Sequence, residues 1–307
     1  MIAFSSAIEP LRIANRLSEM ELYRWLVLSP EGETTLASNG VVLQVDGAID
    51  KFARLEDSAP DRGDIVLVCG GVGSERYRNP ALSAWLRRVK VRSNFFGALC
   101  TGTSVLAAAG VLDGYRCVIH WESLDGFAEA YPDIDVSADL YEIDRNLLTC
   151  AGGTAALDMM LHLIAEQHGS YLATQISEQC LADRVRDPYD HQRLSLCARL
   201  GVHNPKVLSA IEFMEAHVEN PISVTELSNY VGLSSRQLER LFVNHLGVLP
   251  SQYYLEVRLR RARHLLRQSD MSIVEVAMAC GFVSASHFSK CFRELYGRSP
   301  REERRSH

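Results

Sequence analysis

Three things are scarce in this 307-residue chain. No apolar run approaches the roughly 18 to 20 uncharged residues needed to cross a bilayer, and Met1-Ile2-Ala3-Phe4 gives way at once to polar residues instead of a signal-peptide core. Paired cysteines are absent too: the eight cysteines form no CxxC pair and none sits beside a pair of histidine ligands, which argues against a structural zinc site and for reduced thiols. Basic charge is also short, with 32 Lys and Arg against 38 Asp and Glu, a net of -6. At 47% hydrophobic residues the chain is not disordered, and its length suits about two domains. These absences predict a cytoplasmic protein with no membrane partner, no metal and no cofactor.

The charge deficit is unevenly spread. Residues 1–203 carry 18 basic and 27 acidic side chains, whereas residues 204–307 carry 14 and 11. From Ser223 to Arg305 the balance is 13 basic to 8 acidic, so the end of the chain suits a polyanion and the beginning would be repelled by one.

That basic segment contains a repeat. ISVTELSNYVGLSSRQLERLFVNHLGVLPSQY from Ile222 aligns with MSIVEVAMACGFVSASHFSKCFRELYGRSPRE from Met271. Ser223 pairs with Ser272, Leu227 with Val276 and Gly232 with Gly281; after one inserted residue Leu238 pairs with Phe288, Phe242 with Phe292 and Pro250 with Pro300. Each copy opens with a serine three residues before a glutamate, Ser223 before Glu226 and Ser272 before Glu275, the pattern of a capping box. A glycine suited to left-handed backbone then ends the first helix, and a second follows with an apolar stripe on one side. Two helix-turn-helix units are predicted, with Arg236, Gln237, Glu239, Arg240 and Asn244 facing outward on one second helix and Ser286, His287, Ser289, Lys290 and Arg293 on the other. Between them, SQYYLEVRLRRARHLLRQS reads as a connecting helix ringed by Arg258, Arg260, Arg261, Arg263 and Arg267, spanning nearly 30 Å, close to the roughly 34 Å of one DNA turn.

From about Val207 to Arg305 the chain resembles the AraC-type DNA-binding domain, with GFVSASHFSKCFRELYGRSPRE as the most specific stretch. The resemblance implies that Arg236, Glu239 and Arg240 face one major groove and Ser286, Ser289 and Lys290 the next. Short Ser289 makes the second reader the less discriminating.

Ahead of the repeat, apolar runs at 23–29, 64–69, 94–99 and 117–121 alternate with helical patterns at 80–91, 103–109 and 155–168, which predicts a parallel sheet covered on both faces by helices. DIVLVCGGVG runs one strand into Gly70 and Gly71, and FFGALCTGTSVLAAAG runs another into Cys100-Thr101-Gly102 and then a helix, the layout of a nucleophile elbow. A thiol there sits at a helix N-terminus, which favours thiolate, and His120 ends the next strand. From about Ala3 to His168 this part resembles the class I glutamine amidotransferase-like superfamily that includes PfpI-type proteins, through the CGG turn, the CTG elbow, IHW at 119–121 and AGGTAALDMMLHLIAE from Ala151. The resemblance implies an acidic partner on the first helix, here Glu9, and a flavodoxin-like sheet. Peptidase members have His directly after the cysteine; this chain has Thr101. Three readings of Cys100 therefore stand at this point: nucleophile, redox-sensing thiol and pocket wall. His120 either orients a ligand or caps a buried strand end, and Cys100, His120 and Glu9 are at most vestigial catalytic groups.

The two parts together resemble the GlxA-type transcriptional regulators and, within them, regulators of arginine, carnitine or glycine-betaine catabolism. This implies an effector-sensing domain at 1–183, a linker at 184–206 and an all-α double helix-turn-helix domain at 207–305. The expected partners are double-stranded promoter DNA, a small nitrogenous effector, RNA polymerase and a second copy of the chain. Effector contacts are expected from Glu9, Gly70, Gly71, Cys100, Thr101, His120 and Trp121, with Trp121 and either Glu9 or Glu122 holding a quaternary amine. The alternative is a thiol-dependent amidase with a DNA tether. Because Met1 falls where a helix should follow an interior strand, the natural chain is expected to begin upstream.

Overall fold

The computed structural model describes residues 1–50 and 64–305, and the chain divides into two compact units, Met1–Gln192 and Arg193–His307. The first unit opens with α1 (Ile2–Ser18), followed by four two-residue strands, β1 (Leu28–Ser29), β2 (Thr35–Leu36), β3 (Val42–Leu43) and β4 (Gly47–Ala48). Then come β5 (Ile65–Cys69), α2 (Pro80–Arg92), β6 (Phe95–Leu99), α3 (Gly102–Ala108), β7 (Arg116–Val118) and α4 (Trp121–Ala130). β8 (Asp135–Ser137), β9 (Tyr141–Asp144), β10 (Leu147–Cys150), α5 (Ala155–His168) and α6 (Ser170–Gln179) complete the unit.

The main sheet runs β5-β6-β10-β9, parallel except for the antiparallel edge strand β9. Strand alternation divides its side chains between two cores. Phe96, Ala98 and Leu147 join Trp85, Leu86 and Val89 of α2 and Leu106 of α3 on one face. Leu99, Leu148 and Cys150 join Ala3 and Ala7 of α1 and Ala156, Met159 and Met160 of α5 on the other. The result is the expected flavodoxin-like sandwich. The parallel run of three strands explains why β5 and β6 read as continuous apolar segments, since both faces are covered. Gly97 marks how closely β6 and β10 approach: a Cβ there would lie 1.8 Å from the Leu148 carbonyl oxygen.

Two strands expected from the sequence differ. Of 23–29 only Leu28–Ser29 is strand, because Asn15 of α1 takes the backbone of Tyr23, donating to its carbonyl at 2.6 Å and accepting from its amide at 2.9 Å. The run at 117–121 stops at Val118; Trp121 begins α4 and His120 caps it.

The second unit is helical: α7 (Leu196–Leu200), α8 (Pro205–Ala216), α9 (Val224–Tyr230), α10 (Ser235–Leu246), α11 (Pro250–Gln268), α12 (Ile273–Ala279), α13 (Ala285–Tyr296) and α14 (Pro300–Arg305). One core serves both copies of the repeat, with Leu227, Leu238 and Phe242 from the first, Val276, Phe288 and Phe292 from the second, and Leu259, Ala262 and Leu266 of α11 between them. Both expected capping boxes are formed, at Ser223 with Glu226 and at Ser272 with Glu275. The stretch expected as a linker, 184–206, is shared between the units. Arg186 clasps Asp158 at 2.6 Å and Gln192 donates to the carbonyls of Ile119 and Asp139 in the first unit, while Leu196 and Val202 are buried in the core of the second.

Candidate nucleic-acid interface and effector site

α10 starts at Ser234, whose hydroxyl accepts from the amide of Gln237, and its apolar side is closed by Leu238 and Phe242. Arg236, Glu239, Arg240 and Asn244 are left exposed on the other side, as the spacing requires. Gln237 is exposed as well, but it is not a free reader. Its Oε1 accepts from the Ser234 amide and hydroxyl, both at 2.9 Å, completing a second capping box in the same copy. The sequence reading counted Gln237 with the base-facing groups because the Ser-x-x-Gln cap went unrecognised.

On α13, Ser286, His287 and Lys290 are exposed and Ser289 half-buried, along a shallow concavity lined also by Arg293 and Glu294. His287 turns back on its own helix, with Nε2 3.3 Å from the Cys291 sulfur, and Lys290 lies 3.9 Å from Glu294. The second face thus offers fewer long free donors than the first. Gly281 at the second turn has φ of 72°, and a Cβ there would meet Pro221 at 2.4 Å, so both the left-handed backbone and the close approach require glycine.

The arginines of α11 are not a basic ring. Arg258 donates inward to the carbonyls of Cys280 and Gly281, and Arg263 and Arg267 reach the fully buried carboxylate of Glu303, which Arg298 also contacts at 2.5 Å. Arg258, Arg263, Arg267 and Arg298 thus direct charge to internal oxygens, whereas Arg260 is exposed.

In the first unit, Cys100 has φ of 60°, the strained left-handed turn of an elbow, and its amide donates to the Cys150 carbonyl at 3.0 Å. Glycines on three sides make the turn possible. A Cβ on Gly70 would lie 2.0 Å from the Gly102 amide nitrogen, one on Gly102 would lie 2.2 Å from the Val68 carbonyl oxygen, and one on Gly152 would lie 2.6 Å from Cys100 Cβ. Thr101 fastens the elbow to the neighbouring loop by donating to the Gly71 carbonyl at 2.7 Å. Gly152 was not singled out from the sequence; its place directly after the apolar run 147–150 was the available signal.

The electrostatics oppose a reactive thiol. Burial pushes the Cys100 thiol above the usual cysteine range, and the nearby Glu75 carboxylate pushes it further, outweighing hydrogen bonds from Thr101. Burial lowers the His120 pKa, and its Nδ1 accepts the Glu122 amide at 3.3 Å as the cap of α4. His120 thus caps a helix start and not the strand end expected of it.

Glu75 is the carboxylate the sequence reading missed. It lies on a 3-10 turn, Ser74–Arg76, packed against α3, and its Oε1 accepts from Ser123 of α4 at 2.8 Å. Its charge acts on both Cys100 and His120. Glu9, expected in that role, instead forms a bidentate ion pair with Arg12 one turn along α1, and the thiol its charge acts on is that of Cys180. Trp121 packs beside His120, with ring centroids 5.6 Å apart. Gly70, Gly71, Cys100 and Thr101 meet at the elbow, the Glu75 charge reaches both Cys100 and His120, Trp121 lies beside His120, and Glu9 is paired with Arg12.

An elbow-bearing α/β sandwich followed by two helix-turn-helix units defines a two-part regulator. A model of the DJ-1/PfpI family matches residues 5–166 and a helix-turn-helix domain model matches residues 227–306. The chain belongs to the family of HTH-type transcriptional regulators that join a DJ-1/PfpI domain to an AraC-type DNA-binding domain. It is 48% identical over 304 residues to the HTH-type transcriptional regulator GbdR of Pseudomonas aeruginosa, covering 99% of this chain and 81% of that protein. The HTH-type transcriptional regulator GlxA of Rhizobium meliloti is 37% identical over 305 residues, covering 99% and 92%. A crystal structure of an AraC family transcriptional regulator from Pseudomonas putida matches 59% of this chain and 92% of its own at 28% identity, with a TM-score of 0.52. Among the described residues no helix is long and apolar enough to cross a membrane.

Proposed function

We propose that this regulator is an effector-responsive activator whose elbow binds a small cationic nitrogenous metabolite, an amino acid or quaternary amine, and does no chemistry on it. The observation that carries the reading is the carboxylate of Glu75, whose charge acts on both Cys100 and His120. A nucleophilic thiol needs a base or a positive neighbour. A cation needs a carboxylate and an aromatic face, which Glu75 and Trp121 supply. The bound cation favours one arrangement of the protein over another by binding it more tightly, and that difference limits how far it shifts the equilibrium. The favoured arrangement presents α10 and α13 to promoter DNA, as a homodimer that engages RNA polymerase.

The test is a thermal-shift titration of the full chain with arginine, carnitine and glycine betaine, on the wild type and on Cys100→Ala and Glu75→Gln. One of these amines is expected to raise the midpoint of the wild type and of Cys100→Ala, because ligand bound only to the folded state stabilises it. The Glu75→Gln variant should lose the shift. Consumption of the amine by the wild type and not by Cys100→Ala would establish a thiol-dependent amidase instead.

A further inference from the structure

At each helix-turn-helix turn, main-chain amides take the last carbonyls of the first helix, as Gly232 does at Asn229 and Gly281 at Met278, and the carbonyls just beyond are open to side chains. A cation takes them in both copies, and in both it comes from the helix that precedes the motif. Lys206, on the first turn of α8, places Nζ 2.5 Å from the Val231 carbonyl oxygen and near Gly232. Arg258, on α11, donates to the Cys280 carbonyl at 2.8 Å and to the Gly281 carbonyl at 2.7 Å, and its guanidinium lies 4.2 Å from the centre of the Phe282 ring. α8 packs against α9 and α10 as α11 packs against α12 and α13. The structural repeat is therefore three helices long, and a side-chain cation on the turn is part of it. The C-terminal end of a helix carries partial negative charge, so a cation is favoured there over a neutral donor.

We infer that Lys206 and Arg258 are positioning residues for DNA reading: each fixes the turn that sets the angle of the following reading helix, with its charge held on turn carbonyls and not on phosphate. The alignment of α10 and α13 with base edges then depends on two residues that touch no base. Arg258 holds two carbonyls and a ring, Lys206 a single carbonyl, so the second turn is the more firmly tied.

The experiment uses the full chain with a duplex that the wild type has selected from a random library, compared with a scrambled duplex of equal length across a salt series. Lys206→Met and Arg258→Met are each expected to weaken binding to the selected duplex about tenfold or more. Affinity for the scrambled duplex and the salt slope should stay at wild-type values, because no phosphate contact is lost. Lys206→Arg, which restores a donor, should recover most of the selectivity. Equal losses on both duplexes, with a salt slope smaller by about one, would identify phosphate contacts and overturn the proposal. Unchanged affinity for the selected duplex would overturn it as well. Should Arg258→Met not fold, Arg258→Gln decides: it keeps a donor without the charge, and a selectivity equal to wild type refutes the role.

Discussion

The two copies of the repeat share an apolar frame and differ in how they are closed and in what they show to DNA. At the position following each copy, the residue three beyond the proline is Tyr253 in the first and Glu303 in the second. Tyr253 closes its copy by packing edge-on against Phe242, with centroids 5.9 Å apart. Glu303 closes the other by gathering Arg263, Arg267 and Arg298 around a buried carboxylate. A frame set by Leu238 and Phe242, or Phe288 and Phe292, thus tolerates either an aromatic or an ionic seal, while the outer faces diverge into an arginine-rich reader and a serine-rich one.

The largest test of this contrast is Glu303→Gln. Removing one partner of a buried ionic cluster costs about 3–5 kcal/mol, measurable by urea denaturation of the full chain. Tyr253→Phe keeps the ring and should cost far less; equal losses would mean that the ionic seal contributes nothing special. The pH dependence is specific. Burial acts to raise the Glu303 pKa, but hydrogen bonds from Arg263 and Arg267 outweigh it and leave the carboxyl below its usual range. Its stabilisation is therefore complete above the ordinary carboxylate pKa and is lost as the pH falls through the lowered value, a loss that Glu303→Gln should not show.

A smaller effect separates the readers. Arg240→Ala should weaken binding to the selected duplex by about 1–3 kcal/mol if it contacts a base, whereas Lys290→Ala should weaken selected and scrambled duplexes alike and reduce the salt slope by about one. A reversal of the two would make the second copy the discriminating one. Smallest and symmetric are the caps: Ser223→Ala and Ser272→Ala should each cost about 1 kcal/mol in denaturation, and unequal costs would show that the copies are not equivalent at their first helices.

What the sequence made legible was local. Caps, glycine turns, the apolar stripe and the strand-to-helix elbow each depend on residues within a few positions of one another, and they appear where their spacing placed them. What was missed needs distant parts of the chain. Glu75 meets Ser123 across 48 positions and Arg258 meets Cys280 across 22, and no periodicity signals either contact. Glu9 was assigned by its place on the first helix, yet Arg12 one turn on takes it out of the elbow. The short strand 147–150, Leu-Leu-Thr-Cys, gives no periodicity over four residues and is fixed by its pairing with β6 and β9.

α11 belongs to both copies at once: its proline opens it after the first as Pro300 opens α14 after the second, and its Arg258 secures the second turn. With 19 residues and no proline or glycine beyond its first position, it is a strut about 28 Å long without a joint. With both α10 and α13 on one duplex, as proposed, a regulator built this way would read distance along DNA as well as letters. Two words of the right spelling, moved apart by half a helical turn, fall on opposite sides of the duplex, and one chain can no longer read both.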